Sequence, residues 1–160
     1  MKRAESVSSR SLRYSFIATS AVYIVTTFHH LYGAKIYNTP WRKDVGTNGG
    51  LILVICFTFL YLFNRYKKKV FLTLYTAVSF IVFELGIGLF EGLYNHVLKN
   101  VLFFSGMPLA TWRKLFPAPA YEIPDNLLFE STGILQFFVA LVSTFYLLKI
   151  YKNARKSGNN

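Results

Sequence analysis

Four stretches of this chain stay apolar long enough to cross a lipid bilayer. Residues 15–37, 48–64, 70–97 and 128–148 each approach the roughly 20 residues that a helix needs to traverse a hydrocarbon core. Together they occupy most of the 160 residues and leave no room for a separate soluble catalytic domain. The pattern predicts an all-α integral membrane protein, a single four-helix bundle over residues 1–160. Its third and fourth spans are joined by an outer interfacial loop or lid over residues 98–127.

The runs are interrupted in a telling way. Glu84 and Glu91 lie inside the third, His29 and His30 inside the first, and Glu130 inside the fourth. An ionisable side chain at membrane depth costs several kcal/mol unless it is paired, so each such residue points to function by default. Helical geometry then selects partners. At about 100° per residue, Glu84 and Glu91 fall on nearly one face, together with Thr73, Gly88 and Asn95. On the first span Ser15, Thr19, Tyr23, Thr26, His30 and Tyr37 gather on one side, which makes His30 the inward histidine and turns His29 about 100° away.

Depth follows from counting inward from the basic residue that ends each span, at about 1.5 Å per residue. His29 and His30 lie about 24 to 26 Å from Arg13, Glu84 about 22 Å from Lys69, and Glu130 about 28 Å from Lys149. These groups share one level in the outer half of the membrane. Glu91 and His96 come out higher, and His96 sits off the Glu84/Glu91 face, so it joins the cluster only through a bend, for instance at Gly92.

Charge sets the orientation. With 18 Lys and Arg against 7 Asp and Glu the chain carries a net charge of +11. The basic residues are short clusters flanking spans: Lys2, Arg3, Arg10 and Arg13; Arg65 and Lys67 to Lys69; Lys149, Lys152, Arg155 and Lys156. Fewer lie on the other side, so the positive-inside rule places both termini in the cytoplasm, in the simplest case across a bacterial inner membrane. The same clustering explains the high pI without nucleic acid as a partner. The first apolar run is too long for a secretory signal and ends in His29-His30, so it reads as a retained anchor.

Loop chemistry is sparse. Pro108, Pro117, Pro119 and Pro124 break the stretch before the fourth span, whose Phe, Leu and Trp content suits the outer membrane surface. Asp125-Asn126 offers an N-terminal cap for the last helix. Trp41 reads as an interfacial anchor. The lone Cys56 excludes an intramolecular disulfide and reads as apolar filler.

Two classes of function follow. In the first, His30, Glu84, Glu91 and Glu130, with His29 and His96 in reserve, form a nitrogen and oxygen site for iron, manganese or zinc, or hold a haem through histidine. The Glu-x-x-His spacing of di-iron bundles is absent, since Glu91 is followed by Asn95 and His96 at the fourth and fifth positions. Without a metal, Glu84, His30 and Glu91 would serve as acid and base groups toward a lipophilic small molecule. In the second class the same groups are interhelical polar contacts of a non-enzymatic transport or assembly protein, and a pore would require several copies of so short a chain. The strings HHLYGAKIYNTPWR, FELGIGLFEGLYNH and PAPAYEIPDNLLFESTG carry no motif that assigns an activity.

Overall fold

The computed structural model describes residues 9–156 and is all-helical over them. Lys2 and Arg3 of the first basic cluster lie outside the described residues, as do the side chains of Arg155 and Lys156. Helix α1 covers Ser9–Ile36. Asn38, with φ of 52°, ends it in the left-handed region, and a 3-10 turn at Pro40–Arg42 leads into α2, Lys43–Tyr66. Lys67 closes α2 at φ 56°, donating its N–H to the Phe63 carbonyl, and the chain reverses into α3, Lys69–Ser79. A π-helical segment, Phe80–Leu98, continues α3 without a break into α4, Lys99–Phe104. Helix α5 is short, Leu109–Leu115, and α6 runs from Leu127 to Lys156.

Among the described residues, three helices are long and apolar enough to cross a membrane: Pro40–Tyr66, Lys69–Phe104 and Leu127–Ala154. The fourth expected span, α1, is long enough at 28 residues but is less apolar. It buries Ser11, Ser15, Thr19, Thr26, His29 and His30. A helix with so many inward polar groups needs protein, rather than lipid, around it. That is where it sits: α1 packs on α6 and α2, α2 on α3, and the π segment on α6.

Glycine makes the last of these interfaces close. A Cβ on Gly92 would approach the Phe137 backbone nitrogen to 2.6 Å, and one on Gly88 would collide with Ala140. Small residues of this kind let helices approach where lipid supplies no hydrophobic drive. The core of the other half is conventional, with Val22, Leu60, Phe83, Leu147 and Ile150 packed around Cys56, the free thiol acting as the expected filler.

Two loop expectations are refined. The helix before the lid continues to Phe104, so irregular chain begins only at Ser105. Gly106, at φ 86°, then takes the left-handed turn that a side chain would resist. Trp112 does not lie on the surface. It is fully buried and donates its indole N–H to the Lys99 carbonyl at 3.1 Å, because a buried indole needs an acceptor. The lid is thereby pinned to α4, and Arg113 holds its far end through the Tyr121 carbonyl at 2.8 Å. Asn126 caps α6 as anticipated, accepting the Phe129 N–H at 3.0 Å.

Contacts also gather the basic residues. Tyr14 stacks near Tyr146, Ser15 bonds Tyr75, and Arg13 shares a surface cleft with Leu60 and Asn64. The start of α1, the turn between α2 and α3, and the end of α6 therefore share one end of the molecule. The lid covers the other.

Candidate metal centre

The π segment decides which polar groups meet. Its i→i+5 hydrogen bonding puts residues five apart on one side and separates residues seven apart. Glu91 and His96 therefore converge without any bend at Gly92, and Glu84 and Glu91 diverge. A π turn is ordinarily a single-turn feature found at functional positions; here it extends over 19 residues, with Gly86, Gly88 and Gly92 lowering its backbone constraint.

Glu91 is the hub at the lidded end. Its Oε1 lies 3.6 Å from His96 Nε2, 3.7 Å from His29 Nε2 and 3.8 Å from His30 Nε2. Both adjacent histidines of α1 thus face inward, against the expectation that His29 would turn away. The reason is that α1 is covered on two sides, by α6 and by the π segment, so 100° of rotation does not expose a side chain. His29 is in fact the more buried, at 0% exposure against 6% for His30. One ligand atom each of His29, Glu91 and His96 lies within 4.8 Å of the others, and His30 stays outside that mutual group.

The far nitrogens explain the ring orientations. Thr132 Oγ1 donates to the Leu128 and Phe129 carbonyls at 2.9 and 3.0 Å, so its proton is committed. With that proton given to the carbonyls, the oxygen accepts the N–H of His29 Nδ1, 3.0 Å away, in the Nδ1–H tautomer. That tautomer leaves a lone pair on Nε2, which is buried without a hydrogen-bond partner and faces Glu91. On His96, Nδ1 donates to Glu130 Oε2 at 2.8 Å, and Glu130 Oε1 in turn accepts from Lys99 Nζ at 2.7 Å. A carboxylate that fixes one imidazole nitrogen while the other points at a cation position is the usual support of a metal-bound histidine. Gly133 completes it: any Cβ there would collide with the His96 ring, so the imidazole lies flat on α6.

Distances test whether an ion fits. A tetrahedral zinc with bonds of about 2.1 Å separates its ligand atoms by roughly 3.4 Å. The His96 and His29 gaps to Glu91 Oε1, 3.6 and 3.7 Å, are longer than a hydrogen bond and within a few tenths of an ångström of that figure, and the three ligand atoms all lie within 4.8 Å of one another, so a bound ion would draw the group inward. The chemistry fits as well, because two imidazoles with one carboxylate suit zinc or non-haem iron. Haem fits poorly. The His29 and His96 rings meet edge to face with centroids 4.6 Å apart, which leaves no slot for a macrocycle between them.

One side of the cluster is open. His30, Glu91 and His96 line a cavity of about 440 Å³ whose other walls include Trp41, Val82, Phe90 and Phe129, with Arg42 and Glu122 at the lid. The Arg42 guanidinium bonds Glu122 at 3.2 Å and stacks over Trp41 and Phe129. Asn95 donates to Glu91 Oε2 at 2.7 Å, steadying the carboxylate from the cavity side.

Glu84 stands apart from all this. It accepts from Ser143 at 2.7 Å on α6, with the Thr144 hydroxyl, which also donates to the Ala140 carbonyl at 2.9 Å, more distant at 3.3 Å; Ser143 is thirteen residues beyond Glu130 and so about 20 Å away along the helix. Contrary to the depth counted along the sequence, Glu84 and Glu130 do not share a level, because α6 continues past Lys149 and Lys69 lies level with Ile150, Tyr151 and Ala154, which line one apolar groove with it.

Several residues of the centre carried no signal in isolation. Lys99 reads as an ordinary charge of the outer side, yet it is 2% exposed. Thr132 and Gly133 stand within ESTG, directly after Glu130, and a polar residue followed by a small one at that spacing was the available clue. The chain matches no protein-family model, and comparison with curated proteins and with solved structures gives no match.

Proposed function

We propose that this is an integral membrane protein of four helices that binds one divalent transition metal, iron or zinc, through His29, Glu91 and His96, with His30 at its edge. The carrying observation is the buried, unpartnered His29 Nε2 aimed at a carboxylate oxygen that two further imidazole nitrogens also face. Charge is compatible with it: Lys99 pairs with Glu130, and with His96 neutral the Glu91 carboxylate keeps a negative charge that a bound cation would match. A site with three protein ligands and an open side is the arrangement of a metal that handles a substrate rather than one that only braces a fold. The cavity walls are mainly aromatic and aliphatic, which suits a small lipophilic molecule drawn from the bilayer. In this reading α1 is the fourth span, and the positive-inside rule puts the basic end and both termini in the cytoplasm, with the metal toward the outer leaflet.

Elemental mass spectrometry on protein purified in mild detergent without chelator tests the proposal. About one equivalent of metal per chain is expected, retained by Glu84→Gln and lost in His29→Ala and His96→Ala. Metal-free wild-type protein, or metal that survives both histidine changes, would overturn it. An absorption spectrum with a Soret band would replace it with haem.

A further inference from the structure

The hydroxyls that make α1 polar bond across to the neighbouring helices. Ser15 Oγ lies 2.8 Å from the Tyr75 hydroxyl, and Thr19 follows Ser15 one turn along the same face of α1. Thr19 Oγ1 lies 3.1 Å from Ser143 Oγ and 3.1 Å from Ser79 Oγ, and Ser143 donates to Glu84 at 2.7 Å. Ser15, Thr19, Tyr75, Ser79 and Ser143 are all fully buried. Ser11 continues the same face of α1 one turn further toward the basic end.

Two features separate this chain from ordinary polar packing. Every member before the carboxyl is a hydroxyl, able to accept a proton on one side and release its own on the other. The chain also ends on a buried carboxyl with no Lys, Arg or His within ion-pair distance among the described residues, and none of its bonds is to a charged group. Beyond Glu84 the polar contacts stop. Val22 and Ala140 occupy the interface before the next rung, where Thr26 donates to Gln136 at 2.8 Å, seven residues and about 10 Å further along both helices.

We propose that Thr19 and Ser143, fed from the Ser15–Tyr75 pair one helical turn nearer the basic end, form a proton path to Glu84, which is thereby a proton-loading site insulated from the metal cluster. The step is a transfer alone. Water at the basic end supplies a proton, each hydroxyl accepts one and passes on its own, and the Glu84 carboxylate becomes a carboxylic acid; no bond to carbon forms or breaks. The proposal does not depend on a bound metal.

Infrared spectroscopy of the protein reconstituted in lipid reads this directly. The protonated-carboxyl stretch assigned to Glu84 is the band that Glu84→Gln removes. On transfer to deuterated buffer it should shift promptly in the wild type and at least about tenfold more slowly in Thr19→Val, since a missing hydroxyl raises the barrier to transfer. Ser143→Ala should slow it similarly, whereas Thr76→Val, a hydroxyl bonded only to the Leu72 carbonyl, should not. Thr19→Val is nearly isosteric, and an unchanged melting temperature would show that the fold persists; if it unfolds, Ser143→Ala carries the comparison. Equal exchange rates in wild type and both path variants, or no band that depends on Glu84, would overturn the path.

Discussion

The two ends of the helical core bury similar numbers of polar side chains and treat them in opposite ways. At the lidded end His29, His96, Glu91, Glu130 and Lys99 are ionisable, and His96, Glu130 and Lys99 hold each other in fixed orientation through charge-assisted hydrogen bonds. At the basic end the buried groups among the described residues are neutral hydroxyls in short hydrogen-bonded runs, with Glu84 as their carboxyl. Charged groups without water are stable only when matched, so losing one member strands the rest; hydroxyls find a substitute acceptor in the nearest helix carbonyl. The first arrangement is brittle and specific, the second tolerant and conductive.

The largest effect should come from breaking that charge matching. Glu130→Ala removes the acceptor of both Lys99 and His96 and leaves a buried ammonium, at a cost of about 3–5 kcal/mol, visible as a collapse of thermal stability in detergent. Glu130→Gln should fall well short of that. Next comes the metal. If the centre is loaded, free metal at about 100 times its dissociation constant stabilises the fold by about 2.7 kcal/mol, so chelation should lower the melting temperature of the wild type and leave His29→Ala where it was.

Gly133→Ala is expected to cost about 1–3 kcal/mol through overpacking against His96 and to reduce metal content in proportion. An alanine variant that binds metal normally would mean that the imidazole has room to move. The smallest change belongs to the other end. Thr19→Val should destabilise by only about 0.6 kcal/mol, the average for interhelical side-chain hydrogen bonds in membranes, while slowing proton exchange at Glu84. A stability loss as large as that of Glu130→Ala would erase the contrast between the two ends.

Much of this architecture was legible in the apolar runs. They locate α2, the long helix from Lys69 and α6, and they single out α1 as the helix with inward hydroxyls and histidines. They name His29, His30, Glu84, Glu91 and Glu130 as the ionisable set, with His96 joining only through a bend. What they could not reveal is the pairing, because periodicity arguments assume 3.6 residues per turn. The π segment changes the period just where Glu84, Glu91 and His96 lie, sending Glu84 to Ser143 and bringing His96 to Glu91. Lys99 was hidden for a different reason: a lysine past the end of an apolar run looks solvated until a lid, here pinned by Trp112, folds over it.

The glycine under His96 has a kinetic consequence. An imidazole pressed flat against a helix backbone has no clearance to flip about its Cβ–Cγ bond, so its two nitrogens keep their stations, one toward Glu130 and one toward Glu91, for as long as α6 and the π segment stay together. Handedness of this kind turns a symmetric-looking ring into a one-way part. Any exchange of what sits between His96 and Glu91 must then proceed through the cavity mouth, or wait for the two helices to part.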